Sequence, residues 1–159
     1  MLESGIARGY FLDANGKDVT DCFMYHRGES IMSYCQLELD IPSPMTIEMI
    51  ENGSYYCLPI SGVIELQKHY SEITLYYNRL LTDSLNMHWR LQQVLNQYTA
   101  TQRYQWFLEE YPGMIDRVNN KYIASYIGMT PVTLSRIRRS LRDDSGYKMY
   151  GQGKIEKKF

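Results

Sequence analysis

The side chains best suited to chemistry in this 159-residue chain crowd into one short stretch. Residues 119–141 read NNKYIASYIGMTPVTLSRIRRSL and contain no acid. They hold Lys121 and then Thr130, Thr133, Ser135, Arg136, Arg138 and Arg139. Hydroxyls both donate and accept hydrogen bonds, and a guanidinium offers a planar fork that meets two acceptors at once. At helical spacing these side chains, with Val132, fall away from the apolar line of Leu134 and Ile137. Such a surface can bond phosphate oxygens and can fork onto guanine O6 and N7 in a major groove. The plainer reading of the same residues is a two-helix corner with a solvated basic face.

Other chemistries lack their parts. A metal site needs convergent ligands, and His26, His69 and His88 are scattered, with no HxxxH and no CxxC. Cys22, Cys35 and Cys57 are one short of the four that an iron–sulfur cluster takes, and they read as three separate buried thiols. Nothing orients Cys22 and His26 as a nucleophile–base pair. A GxSxG elbow, a phosphate-binding P-loop and a dinucleotide fingerprint are all absent. The expectation is a protein that is not an enzyme, with no metal and no evident cofactor.

The elements that must position the basic stretch are legible around it. Asn119 or Asn120 can cap a first helix, KYIASYIG. Small Ala124 lets a second helix cross closely, and Gly128 permits the positive φ needed to leave the first helix in a tight turn. Thr130 can cap the second helix, with Pro131 in its first turn. Ile123, Ile127, Met129, Leu134 and Ile137 then share one apolar face, which is the arrangement of a helix-turn-helix unit. Upstream, Thr99 or Thr101 can cap a helix TQRYQWFLEEY, whose stripe of Tyr104, Phe107, Leu108 and Tyr111 reads as core.

Charge divides along the same line. Residues 1–116 carry 7 Lys/Arg against 15 Asp/Glu, and residues 117–159 carry 10 against 3. An acidic body with a basic C-terminal segment points the latter at a polyanion. Ser61 opens a short helical segment. From Ile73, the positions Ile73, Tyr77, Leu80, Ser84, Met87, Leu91, Val94 and Tyr98 repeat at spacings of 4 and 3, the seam of a coiled coil. A helix over 73–98 would span about 39 Å, too long for a small β half to cover, so it is expected to pair with its twin. Residues 6–66 read as strands and turns: a tight hairpin at Asn15-Gly16, a turn at Arg27-Gly28, a strand at 46–51 ending at Asn52-Gly53, and a strand YYCLPI. The chain shows neither a signal peptide nor 18 consecutive apolar residues, so a cytoplasmic protein with no membrane partner is expected.

With these residues in view, the chain resembles the Crp/Fnr family of bacterial regulators over roughly residues 4–142. IASYIGMTPVTLSRIRR resembles the family's two DNA-reading helices, and its TP before the second helix is similar to members from the Bacteroidetes. GYFLDANGKDVTDCFMYHRGES resembles the middle of the family's cyclic-nucleotide-binding-like barrel, and residues 63–98 its dimerising helix. The resemblance implies an α+β fold: a partial β-barrel domain at 1–66, lacking its first strands; a dimerisation helix at 67–98; a helix-turn-helix domain at 99–142; and a basic tail at 143–159 without the family's β-wing.

It implies a homodimer on double-stranded DNA, an effector sensed by the barrel, and room for RNA polymerase as a further partner. Arg136 matches the arginine that reads a guanine. Thr133 and Ser135 match positions that contact base or phosphate. Val132 stands where the family usually has a glutamate that pairs with a cytosine. Gly28-Glu29 resembles the Gly-Glu of the phosphate-binding cassette, Glu29 being alternatively a solvated loop carboxylate. The cassette's arginine has no counterpart near Ser43-Pro44, so cyclic AMP is not the expected effector. The expected DNA-binding set is Lys121, Thr130, Val132, Thr133, Ser135, Arg136, Arg138 and Arg139. The expected dimer interface is Ile73, Tyr77, Leu80, Met87, Leu91 and Val94. A second reading is a ligand-sensing or protein-interaction module with only weak DNA binding.

Overall fold

The computed structural model describes residues 1–30 and 43–143. Cys35 and the basic tail beyond residue 143 lie outside the described residues. Among the described residues, five short strands precede five helices: β1 (Leu2–Ser4), β2 (Ala7–Leu12), β3 (Asp18–Met24), β4 (Thr46–Met49), β5 (Ser54–Tyr55), α1 (Ile60–His69), α2 (Ser71–Gln97), α3 (Ala100–Glu110), α4 (Asn120–Tyr126) and α5 (Pro131–Asp143). A 3-10 turn at Met114–Asp116 separates α3 from α4.

The β half is open. Its two small antiparallel sheets run β1-β5 and β3-β2-β4. The hairpin is where the sequence places it, with Ala7 opposite Met24 and Leu12 opposite Asp18. Its connection is a five-residue loop rather than a two-residue turn. Asp13 organises it: one carboxylate oxygen accepts from the backbone N–H groups of Asn15 at 2.8 Å and Lys17 at 2.9 Å. A local carboxylate thus replaces a tight-turn backbone. The expected YYCLPI strand shrinks to Ser54–Tyr55, because the chain then runs extended into Pro59, which precedes α1. Cys57 sits on this run and is exposed, correcting its reading as a buried thiol. Cys22 is buried, and burial pushes its thiol up to about 12, so it stays protonated and unreactive.

The long helix differs from its expected bounds. Tyr70 breaks it, so residues 67–69 close α1 and α2 begins at Ser71. Near the C-terminal end of α2 the 4-and-3 seam turns toward the chain itself. Leu91 and Val94 are 6% and 3% exposed, and Leu91 joins the main core. Those two residues therefore leave the expected dimer interface: a side chain already buried in its own protomer has no surface for another. Ile73, Tyr77, Leu80 and Met87 are half-buried. Facing away from the buried pair, Leu75, Leu85 and Trp89 stand 69%, 67% and 68% exposed.

The main core does not stop at the expected boundary near residue 99. Ile6 and Phe23 of the β half, Leu91 of α2, Tyr104, Phe107 and Tyr111 at α3, and Ile123, Tyr126, Ile127 and Leu134 of the helix pair form one buried cluster. Phe23 stands at its centre, edge-on to Phe107, Tyr111 and Tyr126 at ring separations of 6.2, 6.1 and 5.1 Å. The hydroxyls of Tyr111 and Tyr126 meet at 2.6 Å, and burial holds both phenols above their ordinary range.

Candidate nucleic-acid interface

The N-termini of α3, α4 and α5 are each capped by a side chain. Thr99 and Gln102 form a reciprocal capping box on α3. Asn119 caps α4, its Oδ1 accepting from the Lys121 N–H at 3.0 Å. Thr130 caps α5, its Oγ1 accepting from the Thr133 N–H at 3.1 Å and lying 2.9 Å from the Thr133 hydroxyl. Between them the chain turns at Gly128, at φ +64°. Arg103 of α3 clamps this turn. Its Nη1 donates to the carbonyl oxygens of Ile127 at 3.0 Å and Gly128 at 2.9 Å, acceptors that the helix end leaves open. Sequence reasoning missed Arg103, because nothing local to residue 103 announces partners some 25 positions on.

The apolar face forms as expected. Ile123, Ile127 and Leu134 are fully buried, with Met129 and Ile137 half-buried against them. This fixes which side of α5 looks outward. Val132, Ser135, Arg136 and Arg139 are exposed and follow at spacings of 3, 1 and 3, so they occupy one narrow face. Among the described residues, neither Arg136 nor Arg139 has a carboxylate partner. The remaining predicted residues divide. Thr133 and Arg138 are half-buried at the flanks of that face. Arg138 is engaged structurally, its Nη1 donating to Asn120 Oδ1 at 2.8 Å and tying α5 to the start of α4. Thr130 is a cap first, although its residue remains exposed. Lys121 is exposed, its Nζ 4.6 Å from the Tyr122 ring centroid. Arg117 pairs with Glu51 through two bonds of 2.9 and 2.6 Å, so it belongs to the body.

Gly28 and Glu29 lie elsewhere, on the turn after β3. Gly28 takes φ +89°, and its N–H donates to the Leu2 carbonyl oxygen at 2.9 Å. Glu29 Oε2 accepts from the backbone N–H groups of Tyr25 at 2.7 Å and His26 at 2.9 Å. Glu29 is therefore half-buried and bonded within its own turn, not a free solvated carboxylate. Among the described residues no group of His, Cys, Asp and Glu is placed to hold a metal.

With two helices joined by a clamped turn behind a small β unit and a long helix, the geometry can be set beside known structures. FixK2 from Bradyrhizobium japonicum superposes with a TM-score of 0.75 at 19% identity, over 96% of this chain and 78% of that one. The two chains share one fold. A Eubacterium rectale protein assigned to the crp/fnr family of transcriptional regulators matches at TM-score 0.68 and 17% identity, over 91% of this chain and 68% of its own. The c-di-GMP responsive global regulator CLP of Xanthomonas campestris matches at 0.61 and 16%, over 90% and 76%. No family model matches the chain, and no curated protein matches it. The fold shared with these structures carries the same order of β unit, long helix and helix pair, and no described helix is long and apolar enough to cross a membrane.

Proposed function

We propose that the chain is a sequence-specific, DNA-binding transcriptional regulator of the cytoplasm, acting as a homodimer and controlled by a small effector. The observation that carries this reading is the exposed row of Val132, Ser135, Arg136 and Arg139 on α5, backed by a fully formed apolar face and a capped, clamped turn. In a major groove, Arg136 forks onto a guanine and Ser135 bonds base or phosphate. Val132, 61% exposed, has no polar atom to offer a cytosine amine, and its methyl groups suit a thymine C5-methyl. Arg139 and Lys121 contact phosphate and set affinity.

The dimer is supported by α2. Leu75, Thr82, Leu85 and Trp89 share one helix face at spacings of 7, 3 and 4, and the three large apolar members are among the most exposed in the chain. Two such helices side by side would cover them. An effector remains part of the proposal through the Crp/Fnr fold. Gly28 and Glu29 are its candidate contacts, and cyclic AMP is disfavoured by the missing arginine.

The test is Arg136→Ala in the full chain, titrated against its selected site and against random duplex. The expected loss is about 1–3 kcal/mol at the selected site, with preference relaxed at one base. An equal loss on both duplexes would contradict the assignment of Arg136 as a base reader.

A further inference from the structure

The helix pair is docked on the β unit by a built junction. Arg8, on β2, is 3% exposed, the most buried charged side chain among the described residues. Its edge is bonded by both neighbouring strands. Nε donates to Glu48 of β4 at 2.7 Å, Nη1 to the Thr20 hydroxyl at 3.0 Å, and Nη2 to Asp18 at 2.5 Å, the last two on β3. Its flat face is covered by the Tyr122 ring of α4, at 3.5 Å from guanidinium carbon to centroid, with Tyr10 4.4 Å away. A planar cation bonded at its rim and stacked on its face is an arrangement that lysine cannot reproduce.

Two further anchors follow along α4. Ser125 Oγ accepts from the Thr20 backbone N–H at 2.9 Å. Tyr126 meets Phe23 at 5.1 Å. Residues 122, 125 and 126 lie on one side of α4, so a stack, a hydrogen bond and an aromatic contact fix both its rotation and its position along the sheet. The chain onward is equally tied. Arg138 holds α5 to Asn120, and Leu134 is buried between the helices. From α2, His88 meets Asp21 of β3 at 3.0 Å, and Leu91 enters the same core as Phe23.

We infer that the junction of Arg8 with Tyr122, completed by Thr20 and Ser125, sets the spacing between the two half-sites that the dimer accepts, by fixing α5 relative to α2 through the sheet. Arg8 is in this sense a positioning residue, not one that touches DNA. The inference rests on the DNA-reading proposal above and deepens it. In duplex DNA, one added base pair moves the second half-site by about 3.4 Å and rotates it by roughly 35°. Helices held at three points to the sheet cannot follow that displacement without breaking the stack.

The experiment uses the full-length protein and a duplex library with two copies of the selected half-site in inverted orientation, the spacer varied in single base pairs. The unmodified protein is expected to favour one spacer over its neighbours by about tenfold or more. Tyr122→Leu uncovers the guanidinium while leaving its bonds to Asp18 and Glu48, and Ser125→Ala removes the hydrogen bond. In both, the spacer preference is expected to fall to about twofold with the base preference within each half-site unchanged. Arg8→Lys provides the third variant, with retained charge. Circular dichroism confirms that each variant compared is folded, and the two α4 variants keep the test open should Arg8→Lys fail to fold. An unchanged spacer preference in folded Tyr122→Leu and Ser125→Ala would overturn the inference while leaving DNA reading intact, as would a loose spacer preference in the unmodified protein. Absence of any half-site motif would overturn the DNA-reading proposal itself, and this inference with it.

Discussion

Phe23→Ala is the sharpest perturbation of this architecture, because Phe23 belongs to β3 and yet its ring is packed by residues 84 to 103 positions away. It is 5% exposed, and truncation removes the edge contacts to Phe107, Tyr111 and Tyr126 together. Loss of a buried phenyl ring typically costs about 3–5 kcal/mol through lost transfer energy and the cavity left behind. For a domain of this size that lowers the melting temperature by roughly 6–20 °C. The assay is thermal unfolding followed in parallel by far-ultraviolet circular dichroism and by tryptophan fluorescence. Trp106 lies 6.1 Å from the Tyr111 ring and 6.2 Å from that of Tyr126, so it reports the core beside the helix pair. If one core joins the β unit to the helix pair, both signals shift together and each variant melts in one step. Two separated transitions, with the fluorescence transition unmoved, would refute the shared core.

Three other outcomes follow from single contacts. Gly128→Ala places a Cβ 2.9 Å from Arg103 Nη1 and 3.0 Å from Leu95 Cδ2 at a positive φ, and should destabilise by about 1–3 kcal/mol in chemical denaturation. His88 sits between two acceptors, Asp21 Oδ2 at 3.0 Å and the Ser84 carbonyl at 2.8 Å. Burial disfavours its charge, but the bonds to Asp21 and Ser84 outweigh this and hold its pKa above the ordinary 6.5. Its stabilisation is therefore complete below pH 6.5 and lost as pH rises through the raised value, so the stability gap between the unmodified protein and His88→Gln should narrow with rising pH; a constant gap would contradict this. Leu85→Ser with Trp89→Ser alters only exposed positions, and should abolish the proposed dimer in sedimentation velocity without lowering the protomer's helix content.

The helix pair was legible from sequence because its signals are local. Ala124, Gly128, Thr130 and Pro131 each constrain backbone within a few residues, and Leu134 and Ile137 mark the inner face. The hairpin was legible for the same reason, although Asp13 makes its loop longer than Asn15-Gly16 alone implies. The seam from Ile73 to Tyr98 shows the limit of such reading. Periodicity identifies an apolar stripe but not what covers it, and Leu91 and Val94 are covered by their own chain. Arg8, Arg103 and the pairing of Arg138 with Asn120 were beyond reach, since each joins elements that only tertiary packing brings together. Arg138 illustrates the consequence: its type and position suit DNA, but its guanidinium already holds the helix pair in place.

The most direct test of the central claim is selection of bound duplexes from a fully random library by the full-length protein, at two salt concentrations. Enrichment of a two-fold symmetric motif with a guanine at the Arg136 position is expected, with binding that weakens steeply as salt rises. Binding that is salt-sensitive but blind to sequence, or no binding at all, would contradict it.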